Sequence, residues 1–383
     1  MHKKNRIEKI TCRGKKIKVL FILSGLLGNK TYNNQLISVV SEIHEIEPIY
    51  VCFDIEDYQK YKLNVIRRKF CRFEASTIIR KKIKKEVTQD FDCIFIQSFE
   101  LVLGLIEIVK RYPAILAHDS TNITAYKLLY NQFPGKLNLC KYYFKFLLLT
   151  PFYRHGINNI DVFMPWSNWC ASSLKDDYHV SEQDIIVTPG ALNLSMWKPS
   201  ADKRTDHKII LLFVGNDIER KGGYFLIDLY ARFLLDRCEL RILSKDAELN
   251  DTNLPEGVQH IKGIDHNNIE KLIELYQSSD IFVFPSFRDH LGLVLLEAAA
   301  AGLPIIARDV GGASDIVKNG INGCLLEYSS TREEWSKKIL ELIDDKDKLS
   351  AFSKNSRKIA EENFSIGIFR DKLVKAFSKL DIT

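Results

Sequence analysis

Short apolar runs separated by helix-length amphipathic stretches recur along the chain, and they do so in two series. IKVLFIL (17–23), IEPIYVCF (46–53), FDCIFIQ (91–97), PAILAH (113–118), DVFMPW (161–166) and DIIVTP (184–189) make up the first. KIILLFVG (208–215), ELRILS (239–244), VQHIKG (258–263), DIFVFPS (280–286), LPIIARD (303–309) and GCLLEY (323–328) make up the second, and the helical stretches SKKILELIDD and FRDKLVKAFSKL follow. Continuous apolar strands of this length belong to a parallel sheet covered on both faces. The polar stretch KPSADKRTDHK (198–208) interrupts the pattern and reads as a linker. The predicted fold class is α/β, with two doubly wound Rossmann-like domains. They span 1–200 and 201–365, and 366–383 is a C-terminal helix crossing back to the first. Ligands in such sheets bind beyond the carboxyl ends of the strands, so two facing domains would make a cleft.

The 383 residues exceed what one hydrophobic core holds, and 46% hydrophobic with 27% charged residues describes a globular chain. Lysines precede VLFILSGLLG as in a signal peptide, but the apolar run is short and no small-residue cleavage site follows. It reads as a buried first strand, and no other segment approaches the roughly 20 apolar residues of a membrane span. Eight dispersed cysteines without a C-x-x-C fit buried thiols in a reducing cytoplasm.

The net charge of +6 is uneven, because residues 1–90 hold 20 Lys and Arg against 10 Asp and Glu. In RRKFCRFEASTIIRKKIKKEV, Ile79, Ile83 and Val87 share a helical face among cations. That face suits either an anionic membrane surface or the helix's own domain. KLNLCKYYFKFLLLTPFYRH (136–155) poses the same choice between a membrane bearing a lipid-linked acceptor and a core helix. No nucleic-acid motif accompanies the charge.

Two stretches of the second series carry chemistry. In SFRDHLGLVLLEAAAA (286–301), Gly292 opens an apolar helix whose first amides, at Gly292, Leu293 and Val294, form an anion site. Glu297 sits one turn on, a lone carboxylate among apolar residues. Hydroxyl donors of a ligand would satisfy it, and a salt bridge within the fold is the alternative. Asp289 could present a second carboxylate to the same ligand. In LLFVGNDIERKGG (211–223), a strand runs into Gly215 and Asn216, and Arg220 and Lys221 then offer two cations for a pyrophosphate. The spacing is not that of a P-loop.

PSFRDHLGLVLLEAAAAGLPIIARDVGGASDIVKNGINGCLLE, FVGNDIERKG and MPWSNWCASSLKDDYHVSEQDIIVTPGALNLSMWKP together resemble family-4 glycosyltransferases, retaining enzymes of the GT-B fold. The resemblance spans about residues 160–380 well and the first 110 weakly. It implies that Lys221 and Arg220 neutralise a donor diphosphate, that the amides of Leu293 and Val294 bind the same phosphates, and that Glu297 holds the ribose. Ile264 would meet the base, and Asp289 would be the first acid of the family's E-x7-E pair, facing the transferred sugar. Asp289 replaces the usual glutamate, and Asn216 stands where many members carry arginine.

In the first domain the resemblance aligns His118 and Asp119, at a strand's carboxyl end, with residues that contact the donor sugar or acceptor. Asp119 could instead cap the next helix. Gly25 and Gly28 fall in the loop that, in the family, covers the diphosphate and acceptor, and two scattered glycines also suit plain turns. The implied activity is a hexosyl-type glycosyltransferase. It would move sugar from a nucleotide-diphosphate donor to a glycan or lipid-linked acceptor, in the cytoplasm or on the cytoplasmic face of the membrane. No cofactor or metal enters this scheme, and the D-x-D at Asp345-Lys346-Asp347 lies far from any strand end. A nucleotide-sugar hydrolase or epimerase, or a non-catalytic sugar-nucleotide binding module, are the other readings.

Overall fold

A computed structural model of the chain describes residues 16–25, 29–53, 71–132, 138–200, 208–246, 249, 253–264 and 268–382. For 71–77, 130–132 and 138–147 it describes the backbone alone. Two compact units divide the chain: Met1–Gly190 with Gly367–Thr383, and Ala191–Ile366.

The first unit holds a five-stranded parallel sheet in the order β2-β1-β3-β4-β5. Its strands are β1 (Ile17–Ser24), β2 (Ile46–Phe53), β3 (Cys93–Gln97), β4 (Ala114–His118) and β5 (Val162–Pro165). Its helices are α1 (Asn29–Ser41), α2 (Cys71–Glu86), α3 (Val102–Val109), α4 (Asn122–Gln132), α5 (Asn138–Ile157) and α6 (Asn168–Tyr178). Strand β1 is the apolar run that follows the lysines, and Val19 to Leu23 are fully buried. Because side chains alternate across a strand, β1 feeds two layers. Leu20 and Ile22 meet α2, α3, α5 and α6 in one core, while Phe21 turns to the other face.

The expected strand 184–189 is not one. Ile186 and Thr188 donate to the carbonyls of Phe163 and Pro165, so the segment runs beside β5. Thr188 Oγ1 binds the Ile186 carbonyl and Pro189 removes the next donor, which leaves a single bridge at Ile185.

The second unit holds six parallel strands in the order β11-β10-β9-β6-β7-β8. These are β6 (Ile209–Val214), β7 (Cys238–Leu243), β8 (Val258–Ile261), β9 (Ile281–Phe284), β10 (Ile305–Arg308) and β11 (Gly323–Leu326). Its helices are α7 (Gly223–Phe233), α8 (Ile269–Gln277), α9 (Leu293–Ala300), α10 (Ala313–Ile316), α11 (Arg332–Asp344) and α12 (Lys346–Asn363). Strand order reverses between β6 and β9, so the loops leaving these two strands flank the place where such sheets bind ligands. The capping box of Thr331 with Glu334 starts α11, and Asp345 accepts from the Lys348 amide to cap α12. Ala191–Ser200 is held by the second unit, because Arg357 of α12 donates to the carbonyls of Leu194 and Trp197.

Helix α13 (Ile366–Ser378) packs on the first unit. Phe369, Leu373, Ala376 and Phe377 recur at helical spacing and are buried. Phe369 meets Tyr32 of α1 at 5.6 Å, and Phe377 meets Phe21 of β1 at 6.3 Å and Phe95 of β3 at 6.5 Å. Phe377→Ala is expected to cost about 3–5 kcal/mol in urea unfolding, whereas Lys375→Ala, on the exposed face, should stay within about 0.5 kcal/mol.

Candidate active site

The two chemistry-bearing stretches meet at the carboxyl ends of β6 and β9. Gly222 adopts φ +79°, and a Cβ there would lie 2.3 Å from the Pro285 carbonyl oxygen, so only glycine lets the loops close. The Phe287 amide donates to the Arg220 carbonyl at 3.0 Å, and Arg220 Nη1 donates to the Arg288 carbonyl at 2.6 Å. Lys221 and Asp289 form an ion pair between side chains that are each 16% exposed. The Lys221 ammonium also lies 5.1 Å from the centre of the Phe284 ring. Arg220 Nε donates to Asp217 at 2.6 Å.

The sequence sends Lys221 to a phosphate and Asp289 to a sugar; the fold places them against each other. Burial alone would raise the Asp289 carboxyl, but Lys221, Arg220 and His290 outweigh it and hold the group below its usual range. Asp289 is therefore a carboxylate at neutral pH, unsuited to giving up a proton. A second glycine fixes its backbone: a Cβ on Gly311 would lie 2.2 Å from the Asp289 carbonyl, and the Gly312 amide donates to the His290 carbonyl at 2.7 Å.

Gly292 caps α9 with φ 75°, and Leu293 and Val294 are its first residues, so their amides carry the positive end of that helix. Glu297 is 2% exposed. Facing it is a hydroxyl of the protein: Tyr276, the penultimate residue of α8, donates to Glu297 Oε2 at 2.7 Å. This corrects the expectation that ligand hydroxyls alone answer that acid. Burial raises the Glu297 carboxyl to about 7, with the Tyr276 hydroxyl pulling the other way. The same burial, with Glu297 beside it, pushes the Tyr276 phenol well above its ordinary value.

The remaining residues of the second unit fall around this centre. Gly215 directly follows β6, and its amide donates to the Leu243 carbonyl. Asn216 is exposed and accepts from the Lys245 amide at 2.9 Å, which ties the β6 loop to the β7 loop. Ile264 is half-buried on the loop after β8.

In the first unit His118 ends β4, fully buried, with its ring edge-on to Phe99 at 5.1 Å. Its Nδ1 lies 3.2 Å from Cys170 Sγ, and its Nε2 has no hydrogen-bond partner among the described residues. Burial, against the Asp119 charge and a backbone contact of Ser120 that both raise it, lowers the imidazole to about 4, and burial pushes the Cys170 thiol up. The pair is thus a neutral imidazole and a neutral thiol. At the start of α4, Thr121 Oγ1 accepts from the Thr124 amide, and Thr124 Oγ1 accepts from the Thr121 amide. Asp119 accepts from the Ser120 hydroxyl at 3.0 Å. The Gly25 amide donates to the Phe53 carbonyl, and Gly28 lies outside the described residues.

Sequence reasoning missed Tyr276, Gly222, Gly311 and Arg308. Arg308 left a signal, a charge ending the otherwise apolar run LPIIAR, and Gly222 and Gly311 stand in the Gly-Gly pairs of the quoted stretches.

Residues 197–359 match the family model described as glycosyl transferases group 1. D-inositol 3-phosphate glycosyltransferase of Thermobispora bispora is 27% identical over 205 residues, covering 48% of this chain and 48% of that protein. Its counterpart in Rhodococcus erythropolis is 36% identical over 110 residues, 29% of this chain and 24% of that protein. The chain spans about half the length of the curated relatives it matches, or less. Among solved structures, sucrose-phosphate synthase of Thermosynechococcus elongatus superposes with TM-score 0.75 at 18% identity, over 94% of this chain and 98% of that one. Anabaena HepE in complex with UDP-glucose gives 0.66 at 15% identity, over 95% and 100%. The two doubly wound units are those of the GT-B fold.

Glu297 supplies a pH signature. Its folded value near 7 exceeds the ordinary 4.5, so its stabilising contribution is complete below about 4.5 and is lost as pH rises through 7. Between pH 5 and 8 the wild type should lose about 2–3 kcal/mol more stability than Glu297→Gln. Unfolding measured across that range checks it, and parallel curves would show that Glu297 does not titrate there.

Proposed function

We propose that the chain is a family-4 glycosyltransferase that retains anomeric configuration and moves a sugar from a nucleotide-diphosphate donor to an acceptor hydroxyl. One observation carries the reading. The Arg220-Lys221 loop, the α9 N-terminus and the acids Asp289 and Glu297 are brought together at the strand-order reversal of one sheet. The group 1 match over the same residues and the UDP-glucose complex of HepE support it.

In this reading the donor diphosphate lies on the amides of Leu293 and Val294, with Lys221 and Arg220 beside it. As the bond from sugar carbon to phosphate oxygen breaks, these groups stabilise the charge that develops on the departing phosphate. The acceptor oxygen bonds to the same face of that carbon, and the leaving phosphate takes the acceptor's proton. Asp289, held ionised by Lys221, accepts hydrogen bonds from hydroxyls of the transferred sugar. Glu297, steadied by Tyr276, takes the ribose.

The acceptor side has its own support in the first unit. The apolar face of α2 is not offered to a membrane, because Ile79 and Ile83 are buried in the core and Val87 packs against it. Among the described residues of the first unit, the exposed large apolar side chains are on α5. Leu148 and Phe152 are 56% and 57% exposed one turn apart, while Leu149, Tyr153 and Ile157 fill the core on the opposite side. Arg154 and His155 flank them in solvent, and α2, packed with α3 in the same layer, exposes Lys81, Lys84 and Lys85. Two wetted apolar side chains among cations suit an anionic lipid surface and a lipid-linked acceptor. No helix among the described residues is long and apolar enough to cross a membrane.

The test is donor consumption from UDP-, GDP- and ADP-sugars with and without lipid or glycan acceptors, since a hydrolase needs no acceptor and a binding module consumes nothing. Lys221→Ala should lower turnover on the order of 10²-fold while still melting cooperatively, and near-wild-type turnover would take Lys221 out of the donor site. Leu148→Ser with Phe152→Ser should weaken sedimentation with equimolar phosphatidylglycerol and phosphatidylcholine vesicles by about 10-fold or more. Unchanged sedimentation would remove α5 from the contact.

A further inference from the structure

The stitched loops enclose a cation that the proposed reaction does not use. Arg308 ends β10 and is 1% exposed. Among the described residues it makes no ion pair, and its Nη2 has no hydrogen-bond partner. Four rings surround the guanidinium: Phe287 at 4.5 Å from its centroid, Phe225 at 5.2 Å, Trp335 at 5.4 Å and Tyr328 at 5.5 Å. Nη1 donates to the Tyr328 carbonyl and, at 3.4 Å, to the Glu327 carbonyl, and Nε donates to the Pro285 carbonyl at 3.3 Å. An unpaired buried charge is costly, and ring faces with three carbonyls offset only part of that cost.

The placement of these partners gives the charge a task. Pro285 O is the atom against which Gly222 packs. The Phe287 side chain stacks on Arg308 while its backbone amide holds the Arg220 carbonyl. Phe225 belongs to α7, the helix that the Arg220-Lys221-Gly222 turn opens. Arg308 therefore touches, on three sides, the segments that carry Arg220, Lys221 and Asp289.

We infer that Arg308 is a positioning residue for diphosphate binding. Its planar fork fixes the Pro285–Asp289 and Arg220–Gly222 loops against each other, and its uncompensated charge biases the site between them toward an anion. A lysine could keep the charge but not the flat stacking among four rings or the two-sided donation. Burial lowers the guanidinium to about 10, with Tyr328 raising it, so the charge is present at neutral pH. The inference rests on the donor reading above and concerns affinity for its phosphates.

The experiment uses the full chain and calorimetric titration of UDP, GDP and ADP; the tightest is carried forward with its parent nucleoside. Arg308→Met should weaken the diphosphate about 10-fold or more and change nucleoside affinity less than about 2-fold, with a flatter dependence of diphosphate binding on salt. Arg308→Lys should recover part of the loss. If Arg308→Met does not fold, Phe287→Leu, which removes one stacked ring and keeps the charge, should still weaken the diphosphate selectively. Equal losses for diphosphate and nucleoside would assign Arg308 to folding alone, and an unchanged diphosphate affinity in a folded variant would overturn the inference. A wild type that binds none of the three diphosphates would overturn the donor reading first and this inference with it.

Discussion

The carbonyl oxygen of Pro285 has two close neighbours that nothing else in the second unit could replace. On one side is the bare Cα of Gly222, where a methyl group would stand 2.3 Å away; on the other is the Nε of Arg308 at 3.3 Å. Through that atom the loop after β6 and the loop after β9 become one rigid surface, although 68 residues separate Lys221 from Asp289. The parallel sheet makes this possible, because the reversal of strand order sets two carboxyl ends side by side with no crossover helix between them.

Each strong charge on that surface is answered before any ligand is considered. Lys221 is paired with Asp289, Arg220 with Asp217, and Glu297 receives the Tyr276 hydroxyl. Such pairing keeps the desolvation cost of a half-buried site tolerable. It also means that an incoming diphosphate would draw Lys221 away from a carboxylate, which ties affinity to rearrangement of one ion pair. Arg308 stands apart, answered only by carbonyl oxygens and ring faces.

Much of this was legible in residue order. The alternation of apolar runs gave eleven of the twelve expected strands, because a strand covered on both faces needs no partner's sequence to declare itself. The run 184–189 misled because its apolar residues resemble a strand while Pro189 removes the next donor and a single bridge forms, at Ile185. Gly292 and Glu297 declared themselves by contrast with their apolar surroundings. Tyr276 did not, since an ordinary tyrosine late in a helix gains meaning only from the acid that folding sets 2.7 Å away. Nor could the Lys221–Asp289 pairing be read, for the sequence offers both residues to a ligand and only the fold offers them to each other. The face of α2 stayed ambiguous for a similar reason: periodicity shows that Ile79 and Ile83 want an apolar neighbour, not which one.

The last helix carries a consequence of a different kind. Because α13 covers the face of β1 that bears Phe21, the amino-terminal sheet is completed by residues made after the entire second unit. On the ribosome, the nascent amino-terminal half waits with an apolar strip uncovered while the second unit is synthesised. A chain that stalls or is cut before residue 366 would expose that strip to chaperones and to aggregation. Native order in the first unit thereby depends on synthesis having passed α13.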